Sequence, residues 1–337
     1  MRPKLSICIP TYNRAPLLKE CLGSVLPQVN NKDMVEVIVV DNASPDDTKV
    51  IVEGYMSSYG CPRYHRNPKN MGYTGNQLKC IDLASGDYVA FLCDDDAYAS
   101  GEVDEILRVL STMDYAFVAL NYYSFIEKLD KPYKSNFAPD KDVTFSRAYD
   151  VLNYPSVGHY SGFVFNRKLA TETLKKMLHG KSYEGFERFR GIIGHLAARS
   201  ILASDLPAYF IGRRGLANRV AQSVDYDNLY HQCLDYYQGY LELFDEGLIG
   251  ANDLNYRARL VIERLPRAII SNGPALSSVE LTRITDQLSR CFTGNWKYET
   301  ICYPLLRALE YSVVKNLFRI TVKAYRLAKR RWYKWNA

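Results

Sequence analysis

The chain has 337 residues, enough for two domains or for one large domain with an appendage. Its apolar content of 47% is ordinary for a globular protein, and a formal charge of +6 is modest. No run approaches the roughly 18 apolar residues needed to span a bilayer. The first apolar stretch, Leu5 to Ile9, is too short for a signal peptide, and the eight cysteines form no CxxC pair. These features predict reduced thiols in a cytosolic protein.

Leu5-Ser-Ile-Cys-Ile9 alternates in hydropathy and stops at Pro10, which predicts a first strand. Thr11-Tyr12-Asn13-Arg14 follows as a loop, and apolar residues at 17, 18, 21, 22, 25 and 26 give Ala15 to Val25 a helical period. Val35 to Val40 is a second strand running into Asp41-Asn42-Ala43-Ser44, with Ser44 placed to cap the next helix. Arg63 to Arg66 reads as a short third strand. Asn67 to Gly75 is a turn-rich loop leading into a helix that ends near Ser85-Gly86. From Tyr88 a short apolar run, read as a buried strand, enters Asp94-Asp95-Asp96. Three unpaired carboxylates are too costly for a dry core, so they belong where the strand leaves the sheet, facing water, a cation or both. Taken alone, such a triplet is more often a solvated turn capping the next helix than a metal site.

This β-α-β-α-β order predicts an α/β fold with a mostly parallel sheet, which gathers Pro10, Asp41, Asn67 and Asp94 at one edge. Ligands of open α/β sheets bind beyond the carboxyl ends of the strands. Asp41 is suited to accept hydrogen bonds from a base edge, and the loop with Asn70, Gly72 and Asn76 lets backbone approach closely. Carboxylates at 94–96 can hold a divalent cation against a diphosphate. The combination points to a nucleotide. There is no GxGxxG, which disfavours a dinucleotide fold, and no GxxxxGK[ST], which excludes a P-loop.

Ile9-Pro-Thr-Tyr-Asn-Arg14, Val39-Val-Asp-Asn-Ala-Ser44, Asn70-Met-Gly72 with Asn76, and Phe91-Leu-Cys-Asp-Asp-Asp96, in that order, resemble the family 2 glycosyltransferases of the GT-A fold. The resemblance is strong over residues 4 to 100 and looser from 100 to 215. It implies a Rossmann-like sheet flanked by helices, a nucleotide-diphosphate sugar donor, and a nucleotide site that includes Pro10, Thr11, Tyr12, Arg14, Asp41, Asn42, Asn70, Gly72, Asn76 and Asp94. It also implies that Asp94, Asp95 and Asp96 form the DXD-type element contacting ribose, diphosphate and a divalent metal, Mn²⁺ or Mg²⁺. Cys93 stands where many relatives carry an acid, which leaves open which two of the three aspartates bind metal. Within the family the chain looks most like the deoxyhexosyltransferases of bacterial O-antigen assembly.

Further along, Glu102 to Leu110 reads as a helix and Tyr115 to Tyr122 as a strand, and Tyr123 to Tyr149 is the expected acceptor-side loop. Ser161-Gly162 reads as a tight turn into a strand through Asn166, equally an ordinary strand entry or a pair of N–H groups facing an acceptor sugar. Phe186 to Leu202 reads as a helix and Ala208 to Ile211 as a last strand. The family usually carries a Glu-Asp pair at the start of that helix, whose aspartate deprotonates the acceptor in an inverting displacement. If Leu196 and Arg199 align with the family's Leu and Arg, the acid positions fall on Ile192 and Ile193, so the pair is missing. His195, Glu187 and Glu184 are the candidate bases, against a packed helix histidine and a solvated acidic face.

These boundaries place a catalytic domain at residues 1–215 and a helical region at 216–337, with helices over Tyr226–Phe244, Asp253–Ile270, Ser278–Cys291 and Tyr298–Lys334. No acidic side chain follows Glu310, whereas Lys315, Arg319, Lys323, Arg326, Arg330 and Lys334 recur at helical steps. A basic amphipathic helix with tryptophans near its end suits an anionic membrane surface, or packs its apolar side on the protein with the basic stripe solvated. No aromatic-studded basic groove appears, so nucleic acid is not an expected partner. The helical region can also pair with itself as a homo-oligomer. The expectation is a metal-dependent glycosyltransferase acting on a saccharide, lipid-linked, peripheral at the cytoplasmic face of the inner membrane. The alternatives are a nucleotidyltransferase and a non-catalytic nucleotide-binding protein at a membrane surface.

Overall fold

A computed structural model describes residues 2–126, 131–134, 138–155, 157–178, 192–220, 239–272, 277–292 and 294–309, with 129, 237, 311 and 314 as single residues. It divides into two compact units, Met1–Gln222 and Ser223–Ala337.

In the first unit, β1 (Leu5–Thr11), β2 (Val35–Asp41), β3 (Arg63–Arg66) and β4 (Tyr88–Phe91) alternate with α1 (Ala15–Val25), α2 (Thr48–Tyr59) and α3 (Gly72–Leu83). These strands pair in parallel, with Thr11 beside Asp41, Asp41 beside Arg66 and Cys8 beside Phe91. The strand ends therefore do share one edge. The chain continues through β5 (Ala97–Tyr98), α4 (Glu102–Leu110), β6 (Phe117–Phe125), β7 (Pro132–Lys134), β8 (Val143–Phe145), β9 (Phe163–Asn166), α5 (Arg167–Leu178), α6 (Ile192–Leu202) and β10 (Ala208–Arg219). Sheet order is β3-β2-β1-β4-β9-β6-β10-β5, with β7 on β6 and β8 on β10. Strand β9 runs antiparallel to both β4 and β6, and β5 antiparallel to β10. The sheet is thus mixed, though most strands on its main path point one way.

Side chains alternate between the two faces of each strand. On one face, Ile7, Ile9, Val37, Val39 and Ala90 meet Leu18, Leu22 and Val25 of α1 and Val103 and Ile106 of α4. Toward the other face, Phe91, Phe117, Phe163 and Phe165 pack edge-to-face. Helices α3, α5 and α6 lie in series, burying Leu78, Ile81, Ala170, Leu174, Leu196 and Ala197.

Three local expectations change. Ser44 does not cap α2, which begins at Thr48; Asp46 accepts the Thr48 N–H and hydroxyl instead, while Ser44 Oγ accepts the Asn13 N–H. The last strand runs on from Ile211 to Arg219 through a bulge, because Gly212 and Gly215 punctuate an irregular strand rather than end it. The stretch 123–149 is partly sheet, since β6 reaches Phe125 and β7 and β8 add two short strands.

The second unit contains α7 (Ala251–Asn272), α8 (Ser278–Phe292) and α9 (Tyr303–Leu309) around Leu265, Ile269, Leu281, Leu288 and Leu306. The basic stripe Lys315–Lys334 lies outside the described residues, as does most of the helix expected at Tyr226–Phe244. Among the described residues no helix is long and apolar enough to cross a membrane.

Candidate functional site

The site grows from the carboxyl ends of β1, β2 and β4. At the end of β2, Asp41 is fully buried, and its carboxylate is held by three donors. Oδ1 accepts the Ser44 N–H at 2.8 Å, and Oδ2 accepts the Tyr64 hydroxyl at 2.6 Å and Arg66 Nη1 at 2.8 Å. The charge that would be costly in a dry interior is compensated in place.

Beside it lies an amide network. Asn42 Oδ1 accepts Asn67 Nδ2 and the Met71 N–H, and Asn42 Nδ2 donates to Asn70 Oδ1 and the Gly72 carbonyl. Asn76 accepts Asn67 Nδ2 and donates to the Val40 carbonyl at 3.0 Å, with the Thr11 carbonyl at 3.4 Å. These bonds tie the loop before α3 to the ends of β1 and β2. Gly72 makes its turn with φ of 74°, a region that suits glycine. Tyr12 leaves its ring exposed on the loop after β1, next to Pro10 and Thr11.

The three aspartates differ sharply. Asp94 is buried; Thr11 Oγ1 donates to Oδ2 at 2.7 Å and Arg14 Nη1 to Oδ1 at 3.0 Å. Burial pushes its carboxyl up to about 6, against the pull of Arg14 and Thr11. Asp95 is partly open, also touches Arg14 Nη1 at 3.1 Å, and is raised by burial and by neighbouring Asp96. Asp96 is buried and accepts at both oxygens. Ser161 Oγ (2.5 Å) and His159 Nε2 (2.6 Å) meet Oδ2, while the Arg219 N–H (2.9 Å) and Asn218 Nδ2 (3.3 Å) meet Oδ1. Although burial works to raise it, the His159 charge and these donors carry Asp96 below the usual carboxylate range. Two of the three carboxylates are therefore sheltered rather than facing water, each by its own partners.

Cys93, Asp95 and Asp96 offer ligand atoms within 4.8 Å of one another. A carboxylate has about four lone-pair sites, and those of Asp96 are all taken. Burial holds the Cys93 thiol far above its ordinary value, which suits a neutral sulfur better than a ligand for a hard cation. Asp95 is left as the available anion. One carboxylate joined by substrate phosphates is a set that Mg²⁺ or Mn²⁺ accepts, so the residues fit such an ion.

The other candidates lie elsewhere. His195 is buried on α6, and Arg199 Nε donates to its Nε2. Glu184 and Glu187 fall outside the described residues, and Ile193, one of the two aligned acid positions, is in the core. Sequence reading missed His159, Asn218 and Arg219. Arg219 also donates to the Asp95 carbonyl at 3.1 Å and pairs with Glu20 at 2.5 Å, pinning the acidic loop to α1. None of these has a local signal: His159 and Ser161 arrive because β9 returns antiparallel against β4, and Asn218 and Arg219 because β10 is longer than its apolar run. The Ser161-Gly162 turn was visible, but Ser161 uses its hydroxyl, accepting the Cys93 N–H at 2.9 Å and donating to Asp96.

Residues 6–174 match the family model described as glycosyl transferase family 2. The chain is 29% identical over 161 residues to the abequosyltransferase RfbV of Salmonella typhimurium, covering 44% of this chain and 48% of that protein. It is 38% identical over 107 residues to the GalNAc(5)-diNAcBac-PP-undecaprenol beta-1,3-glucosyltransferase of Campylobacter jejuni, covering 32% and 34% respectively. The matched stretch thus spans half or less of these curated relatives. Among solved structures, S. aureus TarS 1-349 in complex with UDP-GlcNAc superposes with a TM-score of 0.62 at 16% identity, covering 96% of this chain and 92% of that one. The mannosyltransferase PcManGT of Pyrobaculum calidifontis, in complex with GDP-Man and Mn²⁺, has a TM-score of 0.50 at 16% identity, covering 100% and 88%. At such identity these two likenesses speak for the fold.

Proposed function

The chain belongs to glycosyl transferase family 2, and on that premise we propose that it moves a sugar from a nucleotide-diphosphate donor to a saccharide acceptor with inversion at the anomeric carbon. The observation that carries this reading is one sheet edge holding a compensated acid at β2, an amide-braced loop before α3, and the carboxylates after β4. In this reading Asp41 and the Asn42–Asn70–Asn76 network surround the base and ribose, with Pro10, Thr11, Tyr12 and Gly72 lining the same pocket. Asp94 orients Arg14 toward the diphosphate. Asp95 holds the divalent ion, which when bound offsets negative charge on the departing diphosphate. Arg14 and Arg219 keep the acidic loop in register, so the protein contributes orientation and fixed charge.

The acceptor is proposed to be lipid-linked and the sugar a hexose or deoxyhexose, used in bacterial surface polysaccharide assembly. Support comes from the relatives' names, one an abequosyltransferase and one acting on a PP-undecaprenol saccharide. The basic residues from Lys315 to Lys334 would set the chain on an anionic inner-membrane surface. A non-catalytic nucleotide-binding role is the second reading, favoured by the buried Ile193, one of the two positions on which the family's acids fall if Leu196 and Arg199 align with its Leu and Arg.

The deciding experiment is a thermal-shift panel of UDP-, GDP-, CDP- and dTDP-sugars, each with and without Mn²⁺ or Mg²⁺. A ligand that binds only the folded state raises Tm by mass action. One nucleotide class that stabilises only with metal, followed by release of its diphosphate, supports the transferase. Stabilisation with no turnover on any acceptor favours the binding protein, and no stabilisation at all removes the nucleotide site.

A further inference from the structure

If Leu196 and Arg199 align with the family's Leu and Arg, the chain has isoleucines where the family carries its acids, and a different proton acceptor lies against the acidic loop. His159 opens the turn Tyr160–Gly162, and the antiparallel pairing of Ala90 with Val164 carries that turn back onto the residues after β4. Its Nε2 lies 2.6 Å from Asp96 Oδ2. Ser161, Asn218 and the Arg219 N–H hold that carboxylate from its other sides, so its position is not free to adapt. Asn218 Nδ2 also stands 3.0 Å from Nε2, but an ionised carboxylate only accepts, so at 2.6 Å from Asp96 it is Nε2 that carries the hydrogen, and in the neutral ring Nδ1 keeps its lone pair. No described residue is bonded to Nδ1, and the imidazole keeps 24% of its side-chain surface exposed. The Tyr122 ring, 5.4 Å away, packs against it and limits its rotation. His195, by contrast, has its Nε2 lone pair bound by Arg199.

Resting on the glycosyltransferase reading, we propose that His159, oriented by Asp96, is the general base of the transfer. Nδ1 takes the proton of the acceptor hydroxyl while that oxygen bonds to the anomeric carbon. The bond from the anomeric carbon to the nucleoside diphosphate breaks, and its electron pair leaves with the diphosphate. The imidazolium formed is paired with Asp96 until its proton passes to solvent. A carboxylate that fixes the tautomer and then balances the cation is the arrangement that makes histidine an effective base. It also explains how the chain dispenses with the Glu-Asp pair.

The test uses the full-length chain, the donor panel above, and water or p-nitrophenyl hexosides as acceptor, reading release of nucleoside diphosphate. His159→Ala and His159→Gln are expected to lose about 10²–10⁴-fold in turnover. Their donor-induced rise in Tm is expected to match that of the parent. Added imidazole is expected to restore the His159→Ala protein at least tenfold. Turnover of both variants within about threefold of the parent overturns the proposal, as does loss of the donor-induced shift, which would make His159 a donor-binding group. Ring ¹⁵N correlation spectra of the parent examine the pair independently of activity: a hydrogen on Nδ1 with Nε2 bare also overturns it. A parent that neither binds nor turns over any donor removes the glycosyltransferase reading first, and this base with it.

Discussion

At the residue scale, three neighbouring aspartates have been given three different tasks by their partners. Asp94 is tied to Thr11 and Arg14, Asp96 is filled by four donors, and Asp95 retains free acceptor capacity. Asp95→Ala is therefore expected to keep the metal-free melting point within a degree or two. It should lose the metal-dependent part of any nucleotide stabilisation, and an Asp95→Ala protein as active as the parent removes the metal role. Asp41 predicts differently, because it holds the end of β2 together and is also proposed to bind the nucleotide. Asp41→Ala strands the buried Ser44 N–H, worth roughly 1–3 kcal/mol when left unsatisfied, and takes an acceptor from the half-buried Tyr64 hydroxyl. Urea unfolding should show that loss without any ligand, and nucleotide affinity should fall alongside it. The three aspartates could be picked out in the sequence, but their division of labour could not. It depends on Ser161, His159, Asn218 and Arg219, which lie 63 to 123 residues beyond Asp96 along the chain.

At the element scale, the joint between α4 and β10 carries an unusual load. Glu102 opens α4 fully buried, neither carboxylate oxygen has a hydrogen-bond donor among the described residues, and Arg213 Nε stands 3.8 Å off. Burial pushes its carboxyl up to about 8. In the unfolded chain a glutamate ionises near its ordinary value of about 4.3. Between those values the folded state holds a proton that the unfolded state has released, so stability falls as pH rises and levels off above about 8. Glu102→Gln should flatten that slope, its advantage over the parent growing from pH 5 to pH 8.5 to on the order of 3–5 kcal/mol. Parallel denaturation curves that stay equally spaced across that range would contradict the assignment. The same joint explains Gly215: a Cβ there would overlap the Glu102 carboxylate. Gly215→Ala should destabilise the parent strongly and the Glu102→Ala protein much less, a coupling that a double-mutant cycle measures.

For the whole molecule, each unit has its own apolar core, one around Leu18, Leu22 and Val39 and the other around Leu265, Leu281 and Leu306. A chain ending at Gln222 contains every described residue assigned to the nucleotide site. It is expected to melt cooperatively and to keep the nucleotide-induced rise in Tm. Removal of residues 315–337 is expected to abolish co-sedimentation with anionic vesicles while leaving that rise unchanged. Retention of vesicle binding by the shortened chain would move the membrane contact elsewhere.

What the amino-acid sequence determined by itself was the first half of the sheet and the edge that gathers the residues of the candidate site. Alternating and apolar runs specify strands through local burial, helical periods specify the helices between them, and the β-α-β order leaves little choice of topology. Asp41, Asn70, Gly72 and Asp94–Asp96 were readable because parallel strands bring their ends together whatever the details. Only the tertiary structure decided the second half. The reversal of β9, the bulged extension of β10 and the short strand β5 depend on non-local pairing that no window of sequence encodes. Those pairings bring His159, Ser161, Asn218 and Arg219 onto Asp96, and contacts between residues far apart in the chain settle which carboxylate keeps open acceptor sites.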